Sequence, residues 1–132
     1  MNFDKYTQNA QGAVADCQNI AIENGQQQLE GEHLHLALLR QQDGLVPKLL
    51  TYMGLDVPTL ERQVQGEIDK LPKVSGGSDQ LYASRRFSQL LMAAEKNAEQ
   101  FKDEYVSVEH LYLALIDEHN TPSTRIFKQV GL

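Results

Sequence analysis

The chain has 132 residues, enough for one domain with a core of its own. Its 18 acidic residues outnumber 12 basic ones, for a net charge of −6, and its one adjacent basic pair is Arg85-Arg86, so it lacks the clustered cations a phosphate backbone requires and no nucleic-acid partner is expected. The single Cys17 excludes an intrachain disulfide and suits a reducing cytosol; no apolar run nears the ~20 residues of a membrane helix, and Met1-Asn2-Phe3-Asp4 leads into no apolar signal segment, so the chain reads as cytoplasmic, unprocessed at its N-terminus and without a membrane partner.

The pattern is helical almost throughout, and the expected fold class is all-α. Thr7 is placed to cap a first helix running to about Glu23, with Ala10, Ala13, Val14, Cys17 and Ala21 on one face and Asn24-Gly25 as its stop. A second helix carries Leu34, Leu36, Ala37, Leu38 and Leu39 around most of its circumference, the mark of a buried helix. Glu32 sits in its first turn, where the helix dipole favours a carboxylate. A third helix spans roughly Val46 to Met53 and stops at Gly54-Leu55 in the manner of a Schellman motif. A fourth starts near Pro58 and runs through Leu60, Val64, Ile68 and Leu71. Residues 72–82 form a Pro/Gly/Ser-rich linker. Its glycines loosely resemble a phosphate-binding loop, but the Gly-Lys-Ser/Thr ending and the preceding strand are missing, so no nucleotide site is read there.

Beyond the linker the pattern starts again. Ser84 is placed to cap a helix bearing Phe87, Leu90, Leu91, Ala94 and Ala98, whose apolar face is bulkier than that of the first helix. Glu109-His110-Leu111-Tyr112-Leu113-Ala114-Leu115 then repeats Glu32-His33-Leu34-His35-Leu36-Ala37-Leu38 at six of seven positions, at an offset of 77, and is expected to be a second buried helix with Ser107 as its cap. A last helix from about Ser123 to Val130 ends at Gly131-Leu132, as the third helix ends at Gly54-Leu55. A duplication of this length predicts two units, residues 6–71 and 83–132, related by an approximate twofold axis with a groove at their seam. The second unit stops before a counterpart of the fourth helix, which is therefore expected to be missing.

Candidate chemistry is sparse. Glu32 and His35 have the Glu-x-x-His spacing of di-metal helices, but Tyr112 replaces the histidine in the second copy, so the second pair such a site needs is absent and no metal is expected. A metal or catalytic site would have to be assembled from Glu32, His33, His35 and His110, none with a nucleophile beside it in sequence. His33 and His110 recur at the same helix start, which points to a structural role, bonding the backbone of a neighbouring loop. Lys102-Asp103-Glu104 reads as a solvated acidic loop on a rigid scaffold, a common place for binding residues.

Taken together, Phe3-x-x-Tyr6-Thr7, the doubled Glu-His-Leu-x-Leu-Ala-Leu, residues 43–50, residues 71–76 and residues 102–111 resemble the N-terminal domain of the Clp family of protein-unfolding ATPases, over the whole chain. The last two segments look most similar to the disaggregase branch. The resemblance implies a compact, monomeric, non-enzymatic domain without a cofactor, tethered to ATPase modules that form a homohexamer and use ATP and Mg. It implies capture of unfolded or aggregated proteins, and a DnaK-type chaperone system as partner of the parent protein. It assigns substrate capture to Thr7, Asp103 and Glu109, with part of an apolar groove from the helix carrying Leu91. His110 stands where some relatives have leucine. The alternative implied by the protease-partner branches is docking of an adaptor or of phosphoarginine-tagged chains, with Glu32 and Glu109 pairing guanidinium groups.

Overall fold

The computed structural model describes residues 2–74 and 80–132, so the linker glycines, and the loose phosphate-loop reading attached to them, lie outside the described residues. Among the described residues seven helices follow one another: α1 (Gln8–Glu23), α2 (Gly31–Arg40), α3 (Leu45–Tyr52), α4 (Val57–Asp69), α5 (Arg85–Gln100), α6 (Val108–Ile116) and α7 (Pro122–Val130). Side-chain caps account for the starts of α1, α5 and α7. Thr7 and Ser84, 77 residues apart, accept from the backbone N–H of Ala10 and Phe87, and Thr121 accepts from that of Thr124. Gly54 and Gly131 adopt the left-handed conformation that ends α3 and α7, at φ 89° and 80°. α3 and α7 each begin one residue before the expected start, with Pro122 in the first turn of α7, where its missing N–H has no partner to lose.

One parallel strand pair and one parallel bridge, both too short to leave a sequence pattern, tie the units together. β1 (Gln28–Leu29) pairs with β2 (Tyr82–Ala83), matching Leu29 to Ala83. Tyr6 bridges Val106 in parallel. Each is the other's counterpart: shifting Leu29 and Ala83 by the repeat offset gives Val106 and Tyr6. Ser84 N–H donates to Leu29 O at 3.1 Å, as Thr7 N–H donates to Val106 O at 2.9 Å.

The helix packing obeys the same exchange. α1 lies along α2 and α5 along α6; α1 reaches across to α6 and α5 to α2; α3 touches α6 and α7 touches α2. At the axis, equivalent residues meet: the buried His35 ring approaches the Tyr112 hydroxyl through Nε2 at 3.0 Å and the Ser123 hydroxyl through Nδ1 at 2.9 Å. His35 is therefore an interior link between the units. α2 is buried on every side, from Gly31 to Leu39.

α6 departs from the expectation of equal burial. Leu113 is 37% exposed, whereas its counterpart Leu36 is fully buried. The physical reason is α4, which packs on α2 and α7, while no counterpart of α4 packs on α6 among the described residues. Leu91, expected to contribute to an apolar groove at the seam of the repeats, is buried at 2% exposure on α5.

Candidate functional site

The starts of α1 and α6 are brought side by side by backbone bonds. Thr7 N–H donates to Val106 O, and Val106 N–H donates to Lys5 O at 2.8 Å. Since α1 begins just after Thr7 and α6 just after Ser107, two helix N-termini, with their unsatisfied N–H groups, share one face.

His110 locks this corner. It occupies the third position of α6, and its Nδ1 accepts the backbone N–H of Ser107 at 2.9 Å, a capping box with imidazole in the place of glutamate. With Nδ1 accepting, the neutral ring carries its proton on Nε2 and donates it to Asp103 Oδ2 at 2.8 Å. Asp103 is anchored by its own N–H to Ala98 O at 2.8 Å, after Lys102 turns the chain at φ 59°. Its side chain is 52% exposed, so the carboxylate faces water beyond its bond to His110. Glu109 projects into solvent from the first turn of α6. Phe101 stacks on the His110 ring, centroids 6.2 Å apart, yet is 61% exposed, and Tyr105 is 47% exposed. The corner thus presents open carboxylates beside aromatic surface.

The equivalent corner of unit one is closed. His33 Nδ1 accepts Glu30 N–H at 2.9 Å, and His33 Nε2 pairs with Gln26 Oε1 at 2.7 Å. Gln26 Nε2 then donates to Ile68 O at 2.7 Å, at the end of α4, and Gln26 is buried. Asp103 stands where Gln26 does; lacking a donor group, and with no counterpart of α4 above it among the described residues, it faces solvent. His33 is held in neutral form by burial, which lowers its pKa to about 4.

Ser107, His110 and Asp103 have the separations of a hydrolase triad, with Ser107 Oγ 2.8 Å from His110 Nδ1. The arrangement is structural. Nδ1 is committed to the Ser107 backbone N–H, so it cannot serve as base toward the hydroxyl. Glu30, His33 and Gln26 build the same frame in unit one without a hydroxyl nucleophile. Cys17 offers none either: it is buried, and burial pushes its thiol pKa well up. Among the described residues no group of three His, Cys, Asp or Glu is arranged to hold a metal ion.

Glu32 is not on this face. It is buried and bound to Arg86, whose guanidinium also forks onto Glu118 at 2.9 Å through Nε and through Nη2. Burial raises the Glu32 pKa against the pull of Arg86. Burial would lower that of Arg86, but its bonds and charges with Glu118 and Glu32 outweigh this and hold it above its usual range. Gly31 makes room, since a Cβ there would meet the Arg86 guanidinium at 2.4 Å. An external guanidinium therefore finds Glu32 already occupied. Around Glu109, the repeat places Val108, Asn9 and Gln41 where Gly31, Arg86 and Glu118 surround Glu32, and Gln41 Nε2 donates to Asn9 O at 2.9 Å.

Of the residues picked from sequence, Thr7, Asp103 and Glu109 meet at one corner, whereas Leu91 and Glu32 belong to the interior. Phe101 and Tyr105 were missed; two aromatics flanking the acidic Asp103-Glu104 were the available signal.

Residues 5–130 match the family model described as the Clp repeat (R) N-terminal domain. The chain is 42% identical over 134 residues to chaperone protein ClpB of Nitratidesulfovibrio vulgaris, covering 99% of this chain and 15% of that protein. It is 42% identical over 120 residues to chaperone protein ClpB of Clostridium perfringens, covering 89% of this chain and 14% of that one. It therefore spans about 15% of the length of such a relative. The Hsp104 N-terminal domain from Candida albicans superposes with a TM-score of 0.85 at 26% identity, covering 98% of this chain and 83% of that one. Among the described residues no helix is long and apolar enough to cross a membrane. The domain matches the N-terminal part of ClpB chaperones, which is consistent with a substrate- or adaptor-binding module and not with an enzyme by itself, and the chain belongs to the Clp repeat N-terminal domain family.

Proposed function

We propose that this domain captures exposed apolar or misfolded segments of other polypeptides at the corner formed by Thr7, Asp103 and Glu109. The observation that carries the reading is the difference between the two corners: one is closed by Gln26 and α4, the other leaves two carboxylates and two aromatic rings open to solvent. Aromatic surface supplies apolar contact, and the free N–H groups and carboxylates give an extended chain polar partners. Binding is weak, because the interface is small and an unfolded partner loses entropy on ordering. Weak binding suits a device that must release its client.

In this reading the domain serves a longer protein whose ATPase modules form a homohexamer, use ATP and Mg, and disaggregate proteins in the cytoplasm under stress with a DnaK-type chaperone system. Docking of an adaptor or of phosphoarginine-tagged chains is supported less. Of its two proposed carboxylates, Glu32 is paired to Arg86, and Glu109 lacks the glycine and second acid that surround Glu32.

The test is Glu109→Ala, with affinity for an unfolded client and melting temperature measured on the same sample. Affinity is expected to fall severalfold, while stability changes by only about 0.3–1 kcal/mol, the usual worth of an exposed first-turn carboxylate. Unchanged affinity removes Glu109 from the site.

A further inference from the structure

A second surface has the opposite character. Between α4 and α7 runs a groove of about 390 Å³, within the size range of small binding clefts. Arg62, Lys70 and Arg125 line it against a single carboxylate, Glu67, in a chain that is otherwise acidic. Glu67 is satisfied from within, by Lys70 at 2.8 Å and Arg125 at 3.4 Å, and those bonds hold its pKa down, the Lys70 hydrogen bond foremost. The cations are not used up by it. Lys70 and Arg125 are 76% and 62% exposed, and Arg62 also reaches Thr59 Oγ1 at 3.1 Å from an exposed position. The floor of the groove includes the buried Ile126. Gln63 lines the same groove, and its Oε1 is a buried acceptor with no hydrogen-bond partner. An orphaned buried carbonyl is costly, so a donor supplied from outside would be rewarded.

We propose that the α4–α7 groove is a docking site for an acidic polypeptide segment, separate from the client corner and specific for the opposite charge. Carboxylates of the segment pair with Arg62, Lys70 and Arg125; an apolar side chain lies toward Ile126; a backbone N–H of the segment meets the Gln63 amide as it turns outward. Three cations and an apolar floor fit a peptide better than a nucleic acid, whose affinity grows with the number of phosphates neutralised. The groove joins a helix of unit one to a helix of unit two, so an occupant would brace the two units against each other.

The experiment is an NMR titration of the domain with a short peptide alternating Glu and Gly around one central Leu. The same peptide with Lys in place of Glu and a single-stranded DNA oligonucleotide serve as comparisons. Expected are saturable amide shifts at Arg62, Gly66 and residues 123–129, none across residues 101–110, and no such shifts with the Lys peptide. Arg62→Glu combined with Arg125→Glu is expected to weaken binding about tenfold or more, equivalent to about 1.4 kcal/mol, with a melting temperature close to that of the parent because both side chains lie at the surface. Should that pair unfold the domain, Lys70→Gln alone is expected to weaken binding severalfold. The proposal is overturned by shifts that do not saturate or that map elsewhere, by equal binding of the Lys peptide, by equal shifts with DNA, or by folded variants that bind as the parent does.

Discussion

Histidines placed by the repeat do different work at each position. His33 and His35 are both fully buried, and burial lowers their pKa values to about 4 and about 3; for His35 the nearby Arg86 charge adds to the effect. Both remain neutral in the folded chain where the unfolded chain, near the ordinary 6.5, takes up protons. The unfolded state therefore binds more protons between about pH 4 and 6.5, and the stability these residues contribute is complete above that window and lost as pH falls through it. Each can contribute a slope approaching 1.4 kcal/mol per pH unit. Denaturant unfolding from pH 4.5 to 7 is expected to be flatter for His33→Gln than for the parent; identical slopes would show that His33 titrates alike in both states. Arg86 makes a second residue-scale case. Arg86→Ala strands Glu32 as a buried, unpaired carboxylate and is expected to cost about 3–5 kcal/mol, measurable as a shift of the denaturant midpoint. The position of Glu32 in a first helical turn was legible in the sequence; its partner, 54 residues away, was not, because an ion pair leaves no periodicity.

Among the elements, helix content and order were legible because apolar spacing and caps coincide, as at Thr7 and α1 or Ser84 and α5. The strand pair and the bridge were not: one or two residues cannot show an alternating pattern, and each partner lies in the other unit. The burial of Leu91 was not legible for a related reason, since one apolar face of α5 can serve either a core or a groove until its neighbours are known. The unequal burial of α2 and α6 follows from α4 and supplies a paired comparison at equivalent sites. Leu36→Ala is expected to cost about 2–5 kcal/mol, and Leu113→Ala under about 1 kcal/mol. Thermal or denaturant unfolding of the two variants side by side checks this, and equal losses would mean that α6 is covered as α2 is.

For the molecule as a whole, duplication followed by divergence explains how one fold presents two unlike corners. The capping histidine, the turn before it and the inter-unit backbone bridge are common to both. What differs is the exchange of Gln26 for Asp103 and the lid that α4 places on the first. Client polypeptide is proposed to bind at the open corner. The most direct measurement is an NMR titration of the isotopically labelled domain with an unfolded protein, following every backbone amide. Saturable shifts are expected at Thr7 and residues 101–110, with the closed corner around Gln26 and His33 undisturbed. Shifts confined to the closed corner or to the exposed face of α3, with residues 101–110 unmoved, would contradict it.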